Sequence, residues 1–529
     1  MISVRTAVEA DAPWIRDIVE ASYGRDYAYP EFYDVDQLRK MILSDSELVL
    51  VAVDSDAGHP VGTASVVLEI GAYTDLVGEF GRLAVHPDWR HRGIGGRLLD
   101  ERVDRVKDRL HIGLIEGRVG HPFTQRLAHH HGFSTVGYLP LKILFGAVRE
   151  SMSVHVRYFG AALELRRNHP RITPDVFPLA AAAEENVSIP LDVIVDDDSL
   201  PYPSDGDFDL EELTTEGYAD LLRIERGRVK NREIFGPLRL DYGAFQLKAA
   251  HSRYLLARQT QRVMGAVGFT LDDHERTARV FELITLREEA IPFLLREFTH
   301  RARDEFGACY AEIDVSAFAP RMQRTLLALG YAPAAYIPAM AFHEVERLDV
   351  VKMARLFVPL EEDVVLASPT RELAELVLQA FTKREVEPRV SDALDHLHLF
   401  DGLSEEHRRS IASAFAYRTF EAETAVFEVG EPAMEMYVIL SGDIRVHVPG
   451  AVAHVGIVGA GECLGETALL TEAPHSATAV PVGRVEAAAI SSADLNALVR
   501  RWPAIGVVLF RNLARGLGEK LRRMDLGPS

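Results

Sequence analysis

Cysteine is scarce in this sequence of 529 residues, which holds only Cys309 and Cys463. Two cysteines cannot build a disulfide framework, and their scarcity indicates a reducing compartment. The sequence also lacks any run of about 18 apolar residues, the length that a membrane-crossing helix needs. The first residues include Arg5 and Glu9 where a signal peptide would have an apolar block. We therefore expect a cytoplasmic protein that has no membrane partner.

Basic residues are also outnumbered by acidic ones. The chain has 58 Lys and Arg residues against 79 Asp and Glu residues, which gives a formal net charge of −21 at pH 7. A surface of that sign repels phosphate outside a local basic patch, so we expect no nucleic-acid partner. The same charge would attract cationic partners such as lysine-bearing proteins, although it also serves solubility alone.

The length of the chain predicts about three domains. Residues 1–148 alternate β-branched runs with amphipathic helical segments, which indicates a mixed sheet with helices. Residues 149–348 repeat part of this pattern, so we expect a duplicated domain there. A helical connector is predicted over residues 349–394, and a further domain over residues 395–529. The matches that carry the repeat lie at one constant offset: Pro122, Gln125, Arg126, Gly132, Tyr138 and Pro140 with Pro320, Gln323, Arg324, Gly330, Tyr336 and Pro338.

One short motif in the first domain carries chemistry. It follows a predicted strand, opens a predicted helix and reads Arg90-His91-Arg92-Gly93-Ile94-Gly95-Gly96. The N–H groups in the first turn of a helix have no partner within the helix, so they can bind an anion. Glycines let the backbone approach that anion without a clash from Cβ, and the helix dipole adds about 0.3–1 kcal/mol. The motif therefore predicts a pyrophosphate site.

In its context LAVHPDWRHRGIGGRLL, this motif resembles the GNAT superfamily of acetyltransferases. The resemblance implies acetyl-CoA as the co-substrate, with the amides of the motif holding its pyrophosphate. It also implies that backbone groups of Leu83 and Val85 pair with the pantetheine arm as a neighbouring strand would. His121 stands where many family members have an asparagine that contacts the cofactor.

The same resemblance suggests catalytic residues. A lysine amine has a pKa near 10.4 and is protonated at neutral pH, so a general base is required. Glu79 matches the position of that base in the histone-acetyltransferase branch of the family. Many members use a tyrosine to protonate the CoA thiolate, but Ala128 stands at that position here. We expect Tyr138 to take this part, with His121 or water as alternatives.

The second repeat lacks the phosphate loop. Glu288 and Glu289 stand where the anion would bind, and the segment contains no glycine. Two carboxylates would repel a pyrophosphate. We therefore expect a degenerate, non-catalytic GNAT-like domain, with Arg321 and Arg324 as an alternative site for some other anion.

The last domain resembles the cyclic-nucleotide-binding family in FEVGEPAMEMYVILSGDIRV and GAGECLGETALLTEAPHSATAV. Short β runs between turn residues predict a jelly-roll-like β-barrel with flanking helices. Ligand-binding members have an arginine after the proline of the second stretch, whereas this chain has a histidine, of which only about a quarter is charged at pH 7. The resemblance implies a nucleotide site, in which Glu466 accepts from the ribose 2′-OH. Its residues are Gly465, Glu466, Thr467, Ala468, His475 and Ser476.

Together these features predict a multidomain α/β protein with two GNAT-like α+β domains and a C-terminal β-barrel. The predicted function is N-acetyl transfer from acetyl-CoA to a primary amine, with a protein lysine as acceptor and cAMP or cGMP as effector. No metal is predicted, because the consecutive His129, His130 and His131 point in three directions. Two alternatives remain open. One is a small-molecule amine acetyltransferase with a ligand-free docking barrel, and the other is a non-enzymatic sensor of acetyl-CoA or nucleotide.

Overall fold

The computed structural model divides the chain into two compact units, Met1–Phe381 and Thr382–Ser529. Among the described residues, no helix combines the length and the hydropathy that a membrane crossing would require. The described residues are 1–27, 29–70, 75–146, 148–213, 233–235, 252–360, 364, 366–412, 414–448, 456–471 and 473–525.

The first half of the larger unit is a mixed sheet with helices. Helix α1 (Ala12–Tyr23) has Pro13 in its first turn. Helix α2 (Val35–Leu43) is capped by the Asp34 carboxylate, which accepts hydrogen bonds from the N–H groups of Asp36 (2.8 Å) and Gln37 (3.3 Å). The strands are β1 (Ile2–Thr6), β2 (Glu47–Asp54), β3 (Pro60–Ile70), β4 (Val77–Val85), β5 (Ile112–Arg118), β6 (Ser134–Phe145) and β7 (Val148–Tyr158). The helices are α1 (Ala12–Tyr23), α2 (Val35–Leu43), α3 (Ile94–Val106) and α4 (Phe123–His130).

The second half of this unit contains strands and helices in a similar sequence. A short parallel pair, β8 with β9, lies apart from the main sheet. The strands are β8 (Arg171–Ile172), β9 (Ile194–Val195), β10 (Asp209–Glu212), β11 (Ile234–Phe235), β12 (Ser252–Gln259), β13 (Arg262–Asp272), β14 (Thr277–Thr285), β15 (Tyr310–Ser316), β16 (Ala332–His343) and β17 (Glu346–Leu356). The described helices span Phe177–Val187, Ala290–Asp304, Pro320–Ala328 and Ser368–His396.

The strands of the two halves correspond in length and in order. Strands β5, β6 and β7 have 7, 12 and 11 residues, and β15, β16 and β17 have the same lengths. The first half runs β1-β2-β3-β4-β5-β7-β6 across the sheet, and the second half continues in mirrored order as β16-β17-β15-β14-β13-β12-β10. The repeat found in the sequence is therefore also a repeat of strand topology. The assignment of the second half as a GNAT-like domain stays a prediction.

The two halves share one continuous sheet, a connection that the sequence analysis did not predict. Strand β6 pairs with β16 in antiparallel fashion at Gly137 and Ala335, which are matching positions of the repeat. A Cβ on Gly137 would lie 2.2 Å from the Cβ of Ala335. Only glycine permits main-chain pairing at this separation. Sequence periodicity shows that a strand exists but does not show which distant strand it joins.

Two predicted domain boundaries also move. Strand β7 begins at Val148 and pairs with both β5 and β6, so the sheet of the first half extends to Tyr158. Strand β17 runs to Leu356, so the region 349–394 begins as strand, and its helix is Ser368–His396. Both differences have the same cause. Strands β7 and β17 each follow the preceding strand after a short turn, and the break in the sequence pattern at such a turn resembles a domain boundary.

The smaller unit is a jelly-roll-like β domain with helices, as predicted. One sheet has the order β18-β24-β19-β22 and another the order β21-β20-β23. Its strands are β18 (Ala416–Phe420), β19 (Glu435–Ser441), β20 (Ile444–His447), β21 (Gly456–Val458), β22 (Cys463–Leu464), β23 (Thr478–Pro481) and β24 (Val485–Ser491). Its described helices, besides the end of Ser368–His396, are Glu405–Ala412, Glu466–Thr471, Ser492–Arg501 and Pro503–Asp525.

Candidate functional site

The candidate active site begins where β4 and β5 separate. The two parallel strands pair at Val77 with Ile112, at Gly78 with Gly113 and at Glu79 with Leu114. No pair in the described part of the sheet joins them beyond that point, although β4 continues to Val85 alongside β3. The inner edge of β4 therefore faces an opening in the sheet, where its backbone groups can pair with an extended ligand.

The predicted backbone contacts lie on this edge. The Leu83 carbonyl accepts a hydrogen bond from the Tyr23 hydroxyl (3.2 Å), and the Val85 carbonyl accepts one from Ser22 Oγ (3.2 Å) and one from Arg90 Nε (3.3 Å). Each carbonyl oxygen has two lone pairs, so the Leu83 carbonyl can still accept from a ligand. The two bonds at Val85 leave its carbonyl little capacity for another donor.

The glycine motif forms a turn at the far end of the opening. Gly93 caps α3 in the left-handed region (φ 72°), where a side chain is strained. The first helical N–H groups after it have no partner within the helix. His91, Arg92 and Gly93 are exposed, and the Arg92 guanidinium lies 4.4 Å from the centre of the Trp89 ring. The turn can therefore present amides and positive charge to an anion.

A cavity of about 120 Å³ lies in the opening. It is lined by residues of both separated strands and by aromatic side chains that follow α1. Of the predicted residues, Glu79, Leu83 and His121 line it. Further lining residues include Tyr23, Tyr27, Tyr29, Arg82, Glu116 and Arg118.

Glu79 is the carboxylate at the start of the opening. Its side chain is 22% exposed, and burial raises its pKa, while the Arg82 guanidinium, 3.9 Å away, acts in the opposite direction. A carboxylate with a raised pKa accepts a proton more readily near neutral pH than an ordinary surface glutamate does. Its position and environment are therefore those of a candidate base.

Arg82 was not found from the sequence, although it lines the cavity beside Glu79. Its backbone has φ 54°, and its guanidinium lies 4.9 Å from the centre of the Tyr29 ring. Its Nε and Nη1 atoms are buried and have no hydrogen-bond partner. A lone arginine three residues after a glutamate carries no sequence signal, because its orientation depends on the irregular backbone of β4.

Tyr138 does not reach the candidate site, which corrects its predicted role. The residue is 0% exposed, belongs to the hydrophobic core of the large unit and lines no described cavity. Residues 135–141 of β6 are all buried, and the neighbouring Leu139 belongs to the same core. Tyr23, Tyr27 and Tyr29 line the cavity instead, and burial raises the pKa of the Tyr23 hydroxyl. The sequence places Tyr23 in an aromatic stretch but gives no reason to choose it over its neighbours.

The corresponding opening of the second half is filled by the chain itself. Strands β14 and β15 pair in parallel up to Val280 with Ile313. Beyond that pair β11 lies against both strands, and it pairs with β15 at Ile234 with Val315 and at Phe235 with Asp314. The segment occupies the position that a ligand strand would need.

The charges of the second half also differ from those of the first. Arg279 holds the position in β14 that Glu79 holds in β4, and its Nη2 donates to Asp314 (2.7 Å). Glu288 accepts two hydrogen bonds from Arg321 (3.0 and 2.9 Å) at the predicted loop. The Arg324 guanidinium donates to the carbonyl of Asp196 (2.8 Å). Both arginines considered as an alternative anion site are therefore engaged within the protein.

The candidate nucleotide site in the smaller unit surrounds a short helix. Gly465 has φ 82° and precedes the helix Glu466–Thr471, which contains Thr467 and Ala468. Thr467 Oγ1 donates to Glu466 (3.1 Å), and Ser476 is exposed. A Cβ on Gly465 would lie 3.4 Å from Cε1 of the His475 ring, so the start of this helix and His475 are neighbours.

His475 is held differently from a phosphate-binding cation. It is 6% exposed, and its ring stacks on Phe427 with 3.7 Å between ring centres. Its N–H donates to the Glu431 carbonyl (2.9 Å), and its carbonyl accepts from Gly430 (2.8 Å). Burial lowers the pKa of the imidazole, which favours its uncharged form. His475 therefore differs in two ways from the arginine that ligand-binding members have at this position. Its ring packs on an aromatic side chain, and its lowered pKa disfavours a positive charge.

Two family models match this chain. Residues 45–135 match the acetyltransferase (GNAT) domain, and residues 417–501 match the cyclic nucleotide-binding domain. The chain therefore contains a GNAT acetyltransferase domain and a C-terminal cyclic nucleotide-binding domain, which confirms both resemblances.

Individual relatives are similar to one part or the other. The cyclic AMP receptor protein of Thermus thermophilus is 34% identical over 131 residues, which are 24% of this chain and 59% of that protein. The mycothiol acetyltransferase of Mycobacterium sp. (strain JLS) is 38% identical over 84 residues, which are 16% of this chain and 26% of that protein. The crystal structure of the Thermus thermophilus catabolite activator protein is 34% identical, with a TM-score of 0.22, and the match covers 25% of this chain and 61% of that one. The chain spans less than two thirds of each of these relatives.

Proposed function

We propose that the first half of the large unit transfers an acetyl group from acetyl-CoA to a primary amine, with a protein lysine as the expected acceptor. One observation carries this proposal: β4 and β5 separate at Glu79, so a buried carboxylate, a free strand edge and an amide-lined turn follow one another along β4. These are the three parts that base catalysis, pantetheine binding and pyrophosphate binding require.

Acetyl-CoA would lie along this opening as a substrate. Its pyrophosphate would bind the turn from Arg92 to Gly96, and its pantetheine amides would pair with the β4 edge at Leu83, while Val85 borders the same channel. His121, which is exposed and lines the cavity, would contact the cofactor from the opposite wall.

The reaction would proceed by direct transfer. Glu79 takes a proton from the ammonium group, and the neutral amine then attacks the thioester carbonyl carbon. The C–S bond breaks, the amide forms, and the CoA thiolate takes up the second proton that the nitrogen loses. A thiol with a pKa near 8.5 is a tolerable leaving group, so that proton can come by way of water or the Tyr23 hydroxyl in the cavity wall.

The smaller unit would regulate this activity in the cytoplasm by binding cAMP or cGMP. Regulation requires that the nucleotide bind two states of the protein with different affinity. The burial of His475 and its stacking on Phe427 favour a second candidate, in which the barrel is a docking domain that binds no nucleotide.

Labelled acetyl-CoA provides the test of the proposal. The full chain is incubated with lysine peptides, polyamines and amino acids, with and without cAMP or cGMP, and acetylated products are identified by mass spectrometry. We expect acetylated amines. Acetyl-CoA binding without any product across this panel would instead favour the non-enzymatic sensor.

A further inference from the structure

A second and larger cleft lies between the two halves of the large unit. It has a volume of about 670 Å³, within the range of ordinary ligand sites. The first half contributes Glu31 and Lys142, and the second half contributes the β13–β14 turn, 272–275. Tyr29 and Arg82 line both this cleft and the cavity that contains Glu79. A molecule in the cleft is therefore adjacent to the candidate base.

The cations deeper in this cleft are already paired. Lys142 Nζ lies 2.9 Å from Glu116 and 3.2 Å from Glu312, and its side chain is only 12% exposed. The Arg279 guanidinium donates to Asp314 (2.7 Å). These groups compensate one another, so they offer little net charge to a ligand.

The carboxylates around the cleft are in a different situation. Three carboxylates, called the acidic rim below, line the cleft and form no ion pair within 4.0 Å among the described residues: Glu31, Asp273 and Glu275. Burial raises the pKa of Glu275 to about 7, because it outweighs the favourable charge of Lys142. Glu312, at the cleft wall, is not one of these carboxylates, because its Oε2 lies 3.2 Å from Lys142 Nζ and it belongs to the compensated group. The acidic rim of the cleft thus favours a positively charged ligand.

We propose that this cleft is the acceptor site and that it selects an amine whose chain carries a second positive charge. The proposal rests on the acetyltransferase function proposed above. The reacting amine would pass Tyr29 and Arg82 to reach Glu79, while the second cation would remain beside Asp273 and Glu275. The second half of the sheet would then recognise the acceptor, although β11 fills the opening between its strands β14 and β15. Free polyamines and lysines of basic peptides share this chemistry.

The test removes the negative charge of two acidic-rim carboxylates by replacing them with amides of nearly the same size. The double variant Asp273→Asn/Glu275→Gln is compared with Asp198→Asn, an exposed carboxylate of the same half that lines neither described cleft. Binding of spermidine, of a lysine peptide with neighbouring arginines and of N-acetylcadaverine, which has only one charge, is measured by calorimetry with CoA present. The Kd for CoA is measured in each variant, and kcat/KM for each amine is measured in parallel.

We expect the double variant to weaken binding of spermidine or the basic peptide about tenfold, and to leave the singly charged amine and CoA within about twofold. Raising the salt concentration should weaken the binding of the cationic amines to the wild type and should affect their binding to the double variant less. Binding of spermidine would identify a free polyamine as the acceptor, and binding of the peptide would identify a protein lysine.

Two results would overturn the inference: equal binding of cationic amines by the wild type and the double variant, or a preference for an amine that carries a carboxylate, which the unpartnered Arg82 nitrogens would explain. Rim-dependent binding without acetyl transfer would refute the proposed reaction and leave the cation site supported. Acetyl transfer without rim dependence would do the reverse.

Discussion

Replacing Glu79 by glutamine tests the proposed chemistry most directly. The change keeps the size of the side chain and removes its capacity to accept a proton. A lysine amine with a pKa near 10.4 is neutral in only about one molecule in 2,500 at pH 7. Without a base the reaction depends on that fraction, so we expect kcat to fall about 10³-fold, within the range ascribed to general-base catalysis.

The structure predicts that cofactor binding survives this change. Glu79 lies at the last pair of the β4–β5 ladder, whereas the turn that would hold the pyrophosphate begins beyond the end of β4 at Val85. The Kd for acetyl-CoA should therefore stay within about twofold. Glu101→Gln, which removes the same charge from α3 and lines no described cavity, is the matched control and should retain wild-type kcat.

The dependence on pH provides an independent check. Burial raises the pKa of Glu79, and the protonated carboxyl cannot act as a base, so wild-type kcat should fall as the pH drops through that raised pKa. The glutamine variant should lack this step, and its rate should rise about tenfold per pH unit towards the pKa of the amine. An unchanged rate in Glu79→Gln, or an unchanged pH profile, would refute Glu79 as the base.

Three other substitutions test other parts of the chain. Gly93→Glu places a carboxylate and a strained left-handed φ in the anion turn, so acetyl-CoA binding measured by calorimetry should be lost; retained affinity would contradict the assignment of the loop. Gly137→Ala puts a Cβ 2.2 Å from that of Ala335, so the free energy of unfolding of the large unit in urea should drop by about 3 kcal/mol. Gly95→Ala in the same unit, whose new Cβ would come no closer than 3.7 Å to another atom, should cause no such loss, and equal stability of the two variants would count against the shared sheet. His475→Arg supplies the missing cation and should tighten binding of cAMP or cGMP about tenfold in calorimetry; no binding by either form would favour the docking barrel.

Several features of this protein could be read from the sequence because they are local. The turn at Gly93 needs only a strand, glycines and a helix in succession, and neighbouring residues specify all three. The constant offset between the repeats revealed the duplicated topology. The stretch GAGECLGETALLTEAPHSATAV around Gly465 identified the C-terminal domain without knowledge of any distant contact.

Other features depended on residues far apart in the chain. Tyr138 lies in the core because of the face that β6 presents to the sheet, and Arg82 reaches the cavity because of the irregular backbone of β4. The cleft between Glu31 and Glu275 exists only because β6 pairs with β16.

The sequence by itself determined which segments can hold an anion, which segments repeat and which family each end resembles. The tertiary structure decided that the two halves share one sheet, that Ile234–Phe235 closes the second opening and that His475 stacks on Phe427. The reason is physical: a glycine turn is determined by the torsion preferences of adjacent residues, whereas strand partners and side-chain environments depend on packing between segments that the chain brings together only when it folds.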